Sequence, residues 1–201
     1  MNIYDISQEI FTCTAYPGDP HPIKQTLSDM ENGDVYNLSA FSMCAHNGTH
    51  IDTPRHFFAD GRTVDKIPLT KYIGMAYVAE HEGPVTAEDA GTIIRQAAEK
   101  HKDASAHILI KGNAVVTEPA AYVFAQAGID LIGNESQSVG PEEAPMAVHK
   151  ILLAADVVLL EGLRLQHVPT GVYLLNAAPL NLGGCEGSPC RAVLIQEESF
   201  V

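Results

Sequence analysis

The chain has 201 residues, 46 % of them hydrophobic and 18 % charged, ordinary globular proportions that exclude a disordered tail and a fibrous repeat. Its 12 Lys and Arg against 25 Asp and Glu give a formal net charge of −13, the wrong sign for a surface that must release counterions from phosphates, so nucleic acid is not an expected partner. No apolar run approaches the roughly 20 residues of a membrane span, and residues 1–17, broken by Asp5, Gln8 and Glu9, lack a basic start and a signal core, which predicts a cytoplasmic protein with no membrane partner.

A single domain over residues 1–201 would bury about 70 % of its unfolded surface and can hold a pocket, and no repeat, low-complexity tract or linker-like shift divides it. Cys13, Cys44, Cys185 and Cys190 contain no C-x-x-C and read as small buried hydrophobes kept reduced. In chain order, the first half is β-rich. Strand formers and alternation predict strands over 35–46 and 73–80, with Asn32-Gly33 and Asp60-Gly61 as turns. Thr86 and Asp89 form a capping-box pattern, and Ala90, Ile93, Ile94 and Ala97 follow at helical spacing, predicting a helix over 86–100. The order then alternates: strand 107–110, a helix opened by Pro119 and closed near Gly128, strand 129–133, helix 145–155, and strand 157–160. Further strands are expected at 172–177 and 192–196. Alternation of this kind predicts an α/β fold of mixed sheets with a few packed helices.

Residues 46–56 read His-Asn-Gly-Thr-His-Ile-Asp-Thr-Pro-Arg-His, three of the nine histidines and an aspartate in one stretch. Gly48, Thr49, Thr53 and Pro54 disfavour a helix. In an extended strand the even positions His46, Gly48, His50, Asp52 and His56 would share one face, with Gly48 leaving room for an ion, and imidazole with carboxylate suits zinc or a similar divalent cation. His46, His50 and Asp52 could supply the three ligands of a catalytic metal. Cys44 shares the parity, but a packing role is expected for it. His21, His81, His101, His107 and His167 have no partner at ligand spacing and read as polar surface-strand residues. Glu161 ends the apolar run 157–160, where a carboxylate needs a cation or hydrogen bonds. His149 lies one helix earlier, and a helix followed by a strand can bring both to one sheet end; an ordinary strand-end Glu and a surface His fit the spacing equally well.

The run His46-x-Gly48-Thr49-His50-x-Asp52-x-Pro54-x-His56 resembles the signature of the cyclase family of metal-dependent hydrolases, which includes kynurenine formamidases and isatin hydrolases. Weaker matches follow in order: Asp5-Ile6-Ser7, Tyr16-Pro17-Gly18-Asp19, Ser136-Gln137-Ser138-Val139, His149 ahead of Glu161-Gly162-Leu163, and Gly187-Ser188-Pro189 before Arg191-Ala192-Val193. The resemblance implies a swivelling β/β/α fold, a homodimer or homotetramer, and one or two divalent ions per subunit, zinc or in some members manganese. Carried over by position, His46 and His50 match ligands of a first metal, Asp52 a shared ligand, His149 a ligand of a second metal and Glu161 a second bridging carboxylate. His56 matches the acid/base, and Tyr16 and Ser138 fall at substrate-lining positions. Three departures stand out: Tyr16 where formamidases carry Trp, Asn134-Glu135 where an Asp is common, and Lys150 where a second His often follows the ligand.

The implied reaction is hydrolysis of a small-molecule amide, an N-formyl arylamine or a small cyclic amide, by water made nucleophilic at neutral pH with His56 moving the proton. A serine hydrolase is disfavoured, since no G-x-S-x-G elbow exists. A non-catalytic metal-dependent binding or sensor protein on the same scaffold is the competing reading.

Overall fold

The computed structural model describes residues 1–196. The chain opens with β1 (Asn2–Asp5), then makes a separate hairpin of β2 (Ile23–Ser28) and β3 (Leu38–Ser42), and returns through the short β4 (His50–Asp52). The next stretch alternates: β5 (Ile73–Glu80), β6 (Gly83–Val85), α1 (Ala87–Lys100), β7 (His107–Lys111), β8 (Ala114–Val116), α2 (Glu118–Ala127), β9 (Leu131–Asn134), α3 (Met146–Ala154) and β10 (Val158–Glu161). Three strands close it, β11 (Gly171–Asn176), β12 (Gly187–Pro189) and β13 (Val193–Gln196).

Nine of these strands form one sheet in the order β1-β13-β11-β5-β7-β9-β10-β4-β12. Its centre, β5-β7-β9-β10, is parallel, because each step from strand to strand is carried by a helix crossing one face. Both flanks are antiparallel. The helices start where their sequences provide caps. The Thr86 hydroxyl accepts from the Asp89 amide while the Asp89 carboxylate accepts from the Thr86 amide, and Thr117 caps α2, which stops at a left-handed Gly128. This is the mixed α/β architecture the sequence predicts.

Strand pleating sorts the apolar side chains into two cores. Tyr77, Ala79, Ile108, Ile110, Ile132 and Leu159 pack with α1, α2 and α3 on the helix side. Their neighbours Ala76, Val78, Leu109, Leu131, Val158 and Leu160 pack on the other side with Ile51, Leu175 and Leu194. Ile51 and Leu160 face away from the helices, so His50, Asp52 and Glu161, one residue removed, face toward them.

Two sequence expectations change. The strand expected over 35–46 is confined to Leu38–Ser42, because residues 43–49 turn: the Asn47 side chain accepts from the Cys44 amide and Gly48 is left-handed at φ 66°. The extended stretch expected over 46–56 is only three residues long, and Pro54–His56 forms a 3-10 turn. Gly48 therefore serves the turn, with Cys13 against it, rather than clearing space for an ion.

Candidate metal centre

β4 lies between β10 and β12, and its register sets His50 directly across from Glu161 and Asp52 across from Leu159. Above that corner, α3 presents His149 toward the sheet. His50, Asp52, His149 and Glu161 are at most 4 % exposed. Two groups of donors result, His46 with His50 and Asp52, and Asp52 with His149 and Glu161, each with ligand atoms within 4.8 Å of one another. Asp52 is common to both. His46 Nδ1 lies 2.7 Å from Asp52 Oδ1, His50 Nε2 stands 3.5 Å from Asp52 and 3.4 Å from Glu161, and His149 Nε2 stands 3.1 Å from Glu161 and 3.6 Å from Asp52.

The convergence comes from three backbone devices instead of strand parity alone. The turn at Gly48 folds His46 back over the strand, β4 itself aims His50 and Asp52, and the 3-10 turn lifts His56 to the edge, where its Nε2 is 3.9 Å from Asp52 Oδ2 and its ring sits 4.3 Å from that of His46.

Ring orientation is fixed from behind. The Nδ1 of His50 and that of His149 face the carbonyl oxygens of Gly48 and Pro145, each at 2.9 Å. A carbonyl only accepts, so each Nδ1 carries the proton and each Nε2 is turned to the carboxylates, the arrangement by which proteins orient metal-binding imidazoles. One Glu161 oxygen also accepts the Val139 amide at 2.7 Å. The donor set thus fits a divalent ion on both sides of Asp52, with imidazole and carboxylate, no thiolate, and ligands held by neighbours.

Electrostatics separate the four imidazoles. Burial opposes charge on all of them, but the hydrogen bonds and charges of Asp52 and Glu161 outweigh it at three. His46 and His149 are each lifted to about 9, and His50 is lifted too. Burial pushes Asp52 up, yet the His46 hydrogen bond and the surrounding imidazoles hold it below the ordinary carboxylate range. Burial and the Asp52 charge push Glu161 up, while the hydrogen bonds from His149 and His50 bring it down overall. At His56 the balance reverses: burial, helped by the charges of His46 and His149, lowers it against the pull of Asp52.

The centre forms the floor of a cleft of about 270 Å³, walled by Tyr16, Asp19, Phe57, Gln137, Ser138 and Pro145. The Tyr16 hydroxyl donates to the Glu142 carbonyl at 2.7 Å, tying the first loop across to the loop before α3. Ser138 Oγ is buried with no hydrogen-bond partner.

Sequence reasoning passed over Glu186, whose carboxylate lies 3.3 Å from His46 Nε2 and whose carbonyl accepts from the Thr53 amide and hydroxyl. Only the β12–β4 pairing brings it there; its place just before Gly187-Ser188-Pro189 was the available signal. Gln137 lies within the Ser136-Gln137-Ser138-Val139 run. With its amide oxygen assigned toward Gln8 Nε2 at 2.7 Å, its nitrogen donates to Thr14 and Gly48 carbonyls, bracing the turn under His50.

Cys44 stays outside the cluster, half-buried, its thiol 3.6 Å from an Asp19 oxygen. None of the five other histidines joins the centre, but the surface-strand reading is wrong for them. His107 opens the buried β7 with its ring nitrogens 3.0 Å from the Met75 carbonyl and 3.2 Å from that of Thr70, His101 caps α1, His81 lies in the turn after β5, and His21 and His167 are exposed in loops.

The family model for Cyclase matches residues 4–141. The chain belongs to the Cyclase family. Among curated proteins it is 33 % identical over 214 aligned residues to a kynurenine formamidase from Salinibacter ruber, covering 96 % of this chain and 97 % of that one. Among solved structures it is similar to a protein described as a predicted metal-dependent hydrolase from Bacillus stearothermophilus, with TM-score 0.78, 28 % identity and 96 % and 97 % coverage. It shares its fold with isatin hydrolase A from Labrenzia aggregata, with TM-score 0.80, 20 % identity and 98 % and 94 % coverage. For a Cyclase-family chain, two of its departures have local explanations. Asn134 is buried, donating to the Ala114 and Ser138 carbonyls, and Glu135 accepts the Gly112 and Leu165 amides, so this pair ties strand ends together. Lys150 is exposed beside buried His149 on α3 and is absent from the cleft wall.

Proposed function

We propose that this Cyclase-family chain is a metal-dependent amidohydrolase that cleaves an N-formyl arylamine or a small cyclic amide. In this reading His46, His50 and Asp52 hold one divalent ion, and Asp52, His149 and Glu161 hold a second, each zinc or manganese. Bound there, such an ion supplies a water ionised near neutral pH and a Lewis acid for the carbonyl under attack. The observation that carries the reading is His56, an imidazole outside both donor triads, 3.9 Å from Asp52, whose surroundings favour its neutral form. A neutral ring at the cleft edge can take a proton from water and return it to the departing nitrogen. Asp52 and Glu161 offset cationic charge on the floor, Tyr16 and Phe57 offer apolar faces to an aryl ring, and Ser138 lines the same cleft with its hydroxyl buried.

Two wider elements belong to the proposal. The exposed β2–β3 hairpin supports a homo-oligomer, dimer or tetramer. Four free thiols, and the fact that no helix among the described residues is long and apolar enough to cross a membrane, are compatible with the cytoplasm. The deciding experiment is hydrolysis of formanilide by protein loaded with zinc or manganese. Turnover lost on chelation and restored by the metal is the expected result. A binding or sensor protein would take up the ion and turn over nothing.

A further inference from the structure

His46 is oriented differently from the other two imidazoles of the donor set. His50 and His149 are anchored through Nδ1 on backbone carbonyls and turn Nε2 toward the carboxylates. His46 does the reverse: its Nδ1 lies 2.7 Å from Asp52 Oδ1, and its Nε2 lies 3.3 Å from the Glu186 carboxylate on the other side of the ring. Glu186 belongs to neither donor triad, and among the described residues its carboxylate meets only this ring. The chain entering β12 is shaped around the imidazole. The Glu186 carbonyl accepts from the Thr53 amide at 3.0 Å and from its hydroxyl at 2.8 Å, which locks Glu186 to the residue after Asp52. The backbone of Gly187 packs so close to the ring that an added Cβ would lie 2.6 Å from His46 Cε1 and 3.1 Å from Nε2. A neutral imidazole carries a single ring proton, and here two carboxylates compete for it. A ligand nitrogen must keep its lone pair for the ion, and Nδ1 is the nitrogen turned to Asp52. The proton is thereby left on Nε2, where Glu186 accepts it.

We infer that Glu186 is a positioning residue of the metal centre, holding His46 as the Nε2–H tautomer so that Nδ1 is presented to the ion shared with His50 and Asp52. His46 then binds through the opposite nitrogen from His50 and His149. The inference rests on the metal-binding part of the reading above and not on hydrolysis. It also makes the two sides of Asp52 unequal, because the anchor of His46 is a side chain 41 % exposed, whereas that of His149 is a backbone carbonyl. Substitution at Glu186 removes the first anchor and leaves the second in place.

The test is zinc uptake by the whole chain carrying isotope-labelled histidine, titrated against a competing chelator and followed in long-range proton–nitrogen correlation spectra. The rings of His46 and His149 report the two sides of Asp52 separately. Loaded parent protein is expected to show His46 bound through Nδ1 with its proton on Nε2, and His50 and His149 the other way round. In Glu186→Ala the His46 side should need about tenfold more free zinc or higher, the usual cost of losing such an anchor, while the His149 side moves by less than about threefold. Glu186→Gln loses the charge but keeps an acceptor oxygen, so it should stay within about threefold of the parent. A Gln variant as weak as the Ala variant would show that Glu186 acts by charge alone and would overturn the inference. So would His46 bound through Nε2 or not bound at all, or an Ala variant that takes up zinc as the parent does. A parent protein that takes up no zinc on either side would defeat the metal reading itself, and the inference with it.

Discussion

Asp52 and His56 stand four residues apart and answer to different tests. Asp52 is the member common to both donor triads, so Asp52→Asn, which keeps the shape and removes the charge, is expected to lower metal content further than His50→Ala does, measured by elemental analysis on matched preparations. His56 lies outside both triads. Its replacement by Ala is expected to leave metal stoichiometry at the parent level while kcat falls by about two orders of magnitude or more. Metal lost in proportion to activity would make His56 a ligand, and full activity would remove it from the chemistry. The raised imidazoles add a pH prediction. An unfolded His titrates near 6.5, whereas His46 and His149 in the metal-free protein do so at about 9. The stability they contribute is therefore complete below about 6.5 and is lost as pH rises through 9. Chelator-treated protein should show a melting temperature that falls across this interval from these groups, while metal affinity rises and proton release shrinks toward pH 9. Calorimetry in buffers of different ionisation enthalpy checks the release; a metal-free melting temperature that climbs from pH 6.5 to 9 would contradict it.

At the level of elements, the site depends on pieces too short to be stable alone. β4 has three residues, and the turn carrying His56 another three. Their positions come from neighbours: pairing with β10 and β12, the Glu186 carbonyl holding Thr53, and the loop at Asp60-Gly61 packed on the turn. The Arg55 amide donates to the Arg62 carbonyl across that loop at 3.1 Å. Gly61 is packed so closely that an added Cβ would fall against the Pro54 backbone and 2.6 Å from the Arg55 nitrogen. Backbone cannot yield as a flexible side chain would, so Gly61→Ala is expected to displace the 54–56 turn. The expected phenotype is His56-like, with metal retained and kcat reduced severalfold to tenfold or more, accompanied by a lowered melting temperature. Unchanged kinetics would show that the turn is not positioned by this contact.

Across the whole molecule, the β2–β3 hairpin is the part least supported by its own chain. It forms a two-stranded sheet by itself, and Ile23 and Phe41 are 64 % and 60 % exposed, with Leu27 and Leu38 also open. A two-stranded ribbon is marginal in water, and its register turns Ile23 to one face and Phe41 to the other, so under the oligomer proposed above a second copy would cover exposed apolar side chains on this hairpin. Light scattering after size exclusion is expected to give a mass at a multiple of the chain. The pair Ile23→Asp with Phe41→Asp should shift it toward the monomer with little loss of core stability, since neither side chain is buried. A parent protein running as a monomer would refute this.

What the sequence by itself determined is whatever depends on local chemistry. Caps and spacing fixed α1 and α2, the apolar runs located β7 and β10, and the density of His and Asp over 46–56 marked the centre before any fold was known. The resemblance added His149 and Glu161, which spacing alone left undecided. The tertiary structure decided how these residues meet. An extended strand can bring the alternate residues His50 and Asp52 to 3.5 Å of each other, but it would carry His46 off by about 7 Å with each further alternate position, too far for donors that lie within 4.8 Å of one another. The left-handed turn at Gly48, the crossover that lays α3 above the sheet corner, and the pairing of β12 with β4 bring them within reach. Glu186, the Nδ1 anchors at Gly48 and Pro145, and the charge balance that lifts three imidazoles and lowers the fourth all arise from contacts between segments distant in the chain. Side-chain identity is written residue by residue, whereas hydrogen-bond partners, burial and net local charge exist only once the chain has folded back on itself.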